Sequence, residues 1–144
     1  MKTRLNMRKT DPEAIKVMGA IETYLAATEL APLQKELIKI RASQINGCAY
    51  CVDLHTRDAR KLGETEQRIN TIIVWRDTPF FSDEERAILA LTEEVTLIQH
   101  RVKDDTYESA VNLLGEKRTA QVLMAIIAIN AWNRIGVATE MKPS

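Results

Sequence analysis

Residues Ile45 to Leu62 read INGCAYCVDLHTRDARKL and hold both cysteines of the chain together with one of its two histidines. Placed on a helix at about 100° per residue with Cys48 at the origin, Cys51, Val52, His55, Ala59 and Leu62 fall between roughly −60° and +40°. Asp53, Arg57, Arg60 and Lys61 lie outside that arc. Such a helix turns a face with two thiols and an imidazole toward the protein interior and its charges toward water.

Working outward, the Asn46-Gly47 pair before this helix is a stop signal for the preceding one, which starts at Ala31-Pro32. That upstream helix has two apolar stripes, Leu33, Leu37 and Ile40 on one side and Ile38, Ala42 and Ile45 on the other, which predicts a central position. Further upstream, Asp11-Pro12-Glu13 supplies an N-cap acceptor, a proline at the first helical position and an acid in the first turn, with Ile15, Met18, Ile21 and Leu25 as the inner stripe.

Downstream, Gly63 closes the cysteine helix. Thr65-Glu66 opens a fourth, with Ile69, Ile72 and Ile73 inward, that stops before Thr78-Pro79. Ser82-Asp83-Glu84-Glu85 has the capping-box pattern and leads to Ala87, Ile88, Leu91, Val95 and Ile98. A short helix with Tyr107, Ala110, Val111 and Leu114 inward ends at Gly115, and a last, largely apolar helix runs from about Thr119 to Ile135. No alternating strand pattern, repeat or low-complexity linker interrupts this. The expectation is an all-α fold of about seven helices in a single domain spanning residues 1–144.

Twenty basic and 20 acidic residues cancel, so bulk electrostatics favour neither nucleic acid nor an anionic membrane. No apolar run follows the basic start MKTRLNMRKTDP, and the most apolar segment, Val122 to Ile129, is far shorter than the ~20 residues of a bilayer span. A cytoplasmic protein is expected. In a reducing compartment a C-x-x-C pair points to redox chemistry or metal binding rather than to a disulfide framework.

A thiol attacks as its thiolate, and a free cysteine with a pKa of about 8.5 needs help to ionise. Gly47-Cys48 sits where unpaired backbone N–H groups and the helix dipole stabilise negative charge. His55 lies four residues after Cys51, one turn away, so Cys51 is the thiol it can deprotonate. Cys48 is then placed to close a disulfide with Cys51. Glu36, at the edge of an apolar stripe, needs a partner there, and the turn at Asn46-Gly47 can bring it toward the cysteines as proton acceptor or as the group that orients His55.

Each residue also has a plainer reading. The cysteines could be ordinary core residues, or a zinc half-site in which Cys48, Cys51 and His55 recruit Glu36, although a structural site wants four ligands and no second Cys pair exists. Glu36 alone would be a solvated partner of Lys39. Tyr50 is read as packing, His100 as a surface residue at a helix end, and Asn130, Asn133 and Arg134 as a pocket lining, a subunit contact or helix-end caps.

The pattern E-x(11)-C-x-x-C-x(3)-H, from Glu36 through NGCAYCVDLH, resembles the carboxymuconolactone decarboxylase-like superfamily, and within it the alkylhydroperoxidase AhpD-like branch. LHTRDARKLGETEQRI and WRDTPFFSDEERAILALTE extend the likeness over Pro32 to Ile98, with a weaker echo in NAWNRIGVA. The resemblance implies an all-helical subunit assembled as a trimer or hexamer, and a peroxidase that reduces hydroperoxides. Cys51 would attack the peroxide, Cys48 would resolve and meet the reductant, and Glu36 and His55 would relay the proton.

The reductant implied is a dithiol protein, lipoylated or thioredoxin-like, and no cofactor or metal is needed. AhpD proteins carry a histidine between the cysteines where this chain has Tyr50, so one member of the relay is absent. The decarboxylases that name the superfamily lack the cysteine pair, which points away from lactone decarboxylation. Two rival expectations are a disulfide reductase of the same fold and a zinc-binding oligomerisation module without enzymatic activity.

Overall fold

The computed structural model describes residues 4–144, and among them no strand occurs. The α-helices are α1 (Met7–Thr10), α2 (Pro12–Ala26), α3 (Pro32–Asn46), α4 (Ala49–Lys61), α5 (Glu66–Thr71), α6 (Asp83–Thr96) and α7 (Asp104–Ala138). Short 3-10 turns at Ile72–Asp77 and Ile98–His100 follow α5 and α6.

The helix ends obey the local signals. Asp11 Oδ1 accepts the Ala14 N–H at 3.2 Å with Pro12 in the first turn of α2. At α6, Ser82 Oγ accepts from Glu85 N–H at 3.2 Å while Glu85 Oε2 accepts from Ser82 N–H at 2.9 Å, a reciprocal box that satisfies two orphan donors.

Helix α3 is the axis of the molecule, packed against α4, α6 and α7. Its two stripes separate as the sequence predicts. Ile38 and Ala42 join Ile88 and Leu91 of α6 and Val122, Ala125, Ile126 and Ile129 of α7 in one core cluster. Leu37 and Ile40 join Ala59, Ile69, Ile72, Trp75, Phe81 and Leu89 in the other. Each fully buried Leu or Ile contributes about 1.5–3 kcal/mol relative to exposure, so α3, packed on both sides, is the helix the others are ordered around.

Polar ties fix the helices relative to one another. Glu93 on α6 accepts from Arg41 Nε at 2.8 Å and Trp75 Nε1 at 2.9 Å, and it also pairs with Arg76. Asn133 on α7, fully buried, donates to Ser43 Oγ at 2.9 Å and accepts from Asn46 Nδ2 at 2.9 Å, while Asn46 Nδ2 also donates to Asn130 Oδ1 at 2.9 Å. These asparagines hold the end of α3 against α7 instead of capping a helix, and Asn130, with Arg134, also lines a surface groove, as one of the sequence readings expects. At the surface, Arg4 donates to Ala138 O at 2.9 Å and pairs with Glu140 at 2.9 Å, clasping the two ends of the described chain together.

Three expectations need correction. Ile73 is exposed, because the chain tightens after Thr71 into a 3-10 winding with Val74 at φ −121°, which advances the side chains by about 120° instead of 100° per residue. Leu62 is half exposed, since it is the C-cap of α4 and has left the helical face. Tyr107 is half exposed too. The last two expected helices are found as such: α7, Asp104–Ala138, is two helical stretches divided at Gly115, whose φ of 80° and ψ of 161° break the helix where the sequence places its stop. The four-residue α1 was not foreseen; Asn6 Oδ1 caps it from Lys9 N–H at 3.1 Å, and a single turn has no periodicity to read.

By length and composition Asp104–Ala138 could cross a bilayer. Its most apolar stretch instead fills the core between α3 and α6, as a core helix should.

Candidate active site

The turn between α3 and α4 sets the site. Gly47 takes φ 68°, a left-handed C-cap that a side chain would strain, and its N–H returns to Gln44 O at 3.3 Å. The chain re-enters helix at once, with Cys48 as N-cap of α4 and its Sγ accepting the Cys51 N–H at 3.3 Å. Cys48 and Cys51 are joined as a disulfide with Cα atoms 5.3 Å apart. Both are buried, at 3% and 4% exposure.

His55 stands one turn beyond Cys51, and its Nδ1 lies 3.1 Å from Glu36 Oε2. The other oxygen, Oε1, accepts from Lys39 Nζ at 3.0 Å. Burial alone would push the Glu36 carboxyl up; the His55 hydrogen bond and the Lys39 charge outweigh it and hold the group below the ordinary carboxylate value. Glu36 is therefore a carboxylate acceptor, and in the neutral imidazole the tautomer it selects carries the proton on Nδ1 and leaves the Nε2 lone pair free.

A cavity of about 270 Å³ opens beside these groups, with Cys51, His55, Lys39 and Tyr50 in its wall. Apolar side chains complete it, among them Leu25, Leu54, Ile129, Trp132 and Met141. The Trp132 indole is fixed by donating to Glu22 Oε1 at 3.0 Å. Met141 is held by its N–H to Gly136 O at 2.9 Å. Gly136 itself lies against the sulfurs: a Cβ there would sit 2.8 Å from Cys48 Sγ and 3.5 Å from Cys51 Sγ. Helix α7 covers the disulfide at that point because the residue has no side chain.

All four residues singled out in the sequence meet here. Glu36 contacts His55, His55 and Cys51 share the cavity, and Cys48 is bonded to Cys51 on the side of α7. Glu36 does pair with Lys39, but buried instead of solvated. Tyr50 lines the cavity. His100 is exposed in its 3-10 turn. Lys39, Trp132, Gly136 and Met141 were missed; only the Lys39 spacing from Glu36 and the echo in NAWNRIGVA gave any signal.

As a metal centre the arrangement is poor. Glu36, His55 and Asp58 place ligating atoms within 4.8 Å of one another, but lysines already hold both carboxylates, Lys39 on Glu36 and Lys61 on Asp58 at 3.2 Å.

The lowered carboxyl of Glu36 makes a pH prediction. A group whose folded pKa lies below its unfolded value stabilises the fold above the unfolded value and loses that contribution as pH falls through the folded one. Thermal stability should hold down to the ordinary carboxylate value of 4.5 and fall below it, with Glu85 and Glu93, also held low, adding to the drop. In Glu36→Gln the fall of Tm with acid should be shallower than in wild type. Parallel curves would show that Glu36 does not contribute.

The model of the carboxymuconolactone decarboxylase family matches residues 12–94. The uncharacterised protein YdfG of Bacillus subtilis (strain 168) is 43% identical over 139 residues, which cover 96% of this chain and 95% of that protein. A crystal structure of a protein of unknown function from Agrobacterium tumefaciens, described as a candidate antioxidant defence protein AhpD, superposes with a TM-score of 0.95 at 40% identity, covering 99% of both chains. An uncharacterised peroxidase-related protein from Ralstonia eutropha JMP134, described as an alkylhydroperoxidase AhpD core, shares the fold with a TM-score of 0.81 at 21% identity, over 96% of this chain and 74% of that one.

Proposed function

Because the chain belongs to the carboxymuconolactone decarboxylase family, in its AhpD-like branch, we propose that it is a thiol-dependent hydroperoxide reductase serving antioxidant defence in the cytoplasm. The observation that carries this reading is the shared cavity wall of Cys51 and His55, with His55 held through Nδ1 by the Glu36 carboxylate.

In the reduced enzyme His55 Nε2 takes the proton of Cys51, and the thiolate attacks one peroxide oxygen. The O–O bond breaks, Cys51 becomes a sulfenic acid, and the leaving alkoxide recovers the proton from the imidazolium. The Cys48 thiol gives up its proton, its thiolate being favoured at the N-terminus of α4 by the Cys51 N–H, and attacks the Cys51 sulfur; the S–O bond breaks, the departing hydroxide takes that proton to leave as water, and the disulfide forms. Lys39 balances the carboxylate, so the pair Glu36–His55 is not a lone buried charge.

The reductant in this reading is a dithiol protein. Burial of both sulfurs favours a slender lipoyl-type arm over the broad face of a thioredoxin-like partner. A trimer or hexamer would use the groove lined by Val95, Ile98, Ile127 and Ala131, in which Ile98 and Ile127 are exposed.

The test is to titrate the reduced protein with an organic hydroperoxide and count free thiols. Both thiols should vanish per peroxide consumed, with the mass of an intramolecular disulfide. Thiols that survive would refute peroxide reduction, and faster turnover with a disulfide substrate than with peroxide would transfer the chemistry to a disulfide reductase.

A further inference from the structure

We propose that the dithiol reductant opens the disulfide at Cys51, entering through the cavity, and that Cys48 is the sulfur that leaves. This rests on the reading of the pair as redox-active, but it reverses the role of Cys48 as the sulfur that meets the reductant. Three observations support it.

The first is access. The two residues are buried alike, but Cys51 forms part of the wall of the cavity beside His55 and Cys48 does not. The second is cover. Gly136 of α7 lies so close to Cys48 Sγ that a single methyl there would be 2.8 Å away, so the flank of that sulfur is closed by helix backbone that the Asn133–Ser43 and Asn46–Asn133 hydrogen bonds hold in place.

The third is the leaving group. Thiol–disulfide exchange is faster when the departing thiolate is the more stable one. Cys48 Sγ is the N-cap acceptor of α4 and receives the Cys51 N–H at 3.3 Å, so it departs into a place already built for negative charge.

The step balances simply. A reductant thiolate forms a bond to Cys51 Sγ as the Cys51–Cys48 bond breaks, and the electron pair goes to Cys48. The second thiol of the reductant, as thiolate, then attacks the reductant sulfur in the mixed disulfide. This releases the Cys51 thiolate beside His55 and leaves the reductant as a cyclic or intramolecular disulfide.

The experiment uses the oxidised wild-type protein and glutathione as the attacking thiol. After a short pulse the mixture is quenched with N-ethylmaleimide, and the peptide carrying both cysteines is sequenced by fragmentation. Glutathione on Cys51 with maleimide on Cys48 is the expected result. Glutathione on Cys48, or reduction with no Cys51 adduct trapped at any time, overturns the proposal.

A second measurement compares reduced Cys48→Ser and Cys51→Ser, with helicity checked, for mixed-disulfide formation with glutathione disulfide. Cys48→Ser should react about tenfold faster or more, and equal rates or the opposite order would count against it. Neither measurement involves a peroxide. A protein that fails to reduce hydroperoxides but is opened at Cys51 would sink the peroxidase reading alone, and the converse would sink this inference alone.

Discussion

His55→Asn is expected to slow peroxide-driven oxidation of Cys51 by roughly 10²–10⁴ at neutral pH, the usual contribution of a positioned general base. Asparagine can still donate to Glu36 Oε2 in place of Nδ1, so the fold and the buried carboxylate should survive. What disappears is the lone pair at Nε2 on the cavity wall. The loss should therefore shrink as pH rises toward the ordinary thiol pKa of about 8.5, where Cys51 ionises unaided. Stopped-flow rates against pH check this, and a variant within a few-fold of wild type at neutral pH would remove His55 from the mechanism.

Gly136→Ala should act on the other partner of the pair. The new methyl would have to share space with Cys48 Sγ at 2.8 Å and Cys51 Sγ at 3.5 Å. In the disulfide neither sulfur can swing away, because each is tethered to the other. In the dithiol the Cys48 side chain is free to rotate, so the penalty falls mainly on the oxidised form.

Overpacking of this kind costs about 1–3 kcal/mol. At about 30 mV per 1.4 kcal/mol for a two-electron couple, that raises the reduction potential by roughly 20–60 mV. Equilibration with glutathione redox buffers reads the shift directly, and a lower Tm in the oxidised protein alone should accompany it. An unchanged potential would mean that α7 moves aside freely.

Much of this site could be read from local pattern. Cys51, His55 and Ala59 lie on the inner arc of α4 that their spacing predicts because all three are within a regular helix, whereas Leu62 leaves it where the helix ends. The two stripes of α3 were legible for the same reason, and they carried Glu36 inward with them. Ile73 was misread because a 3-10 turn has a different period and no residue announces it. The cavity itself was not legible: Trp132, Gly136 and Met141 reach the cysteines through tertiary packing, and a glycine chosen for a close approach looks in sequence like any other glycine.

That long reach also fixes an order in time. A chain made from its N-terminus completes the cysteine motif well before Trp132, Gly136 and Met141 exist, so the sulfurs emerge ahead of the helix that covers them and the walls that filter what approaches. An unfinished chain carries two thiols without the cavity wall that stands beside them in the finished fold. When α7 docks on α3 through Asn133, the two cysteines gain their cover and their cavity together. Completion of the site is the closing of that one helix.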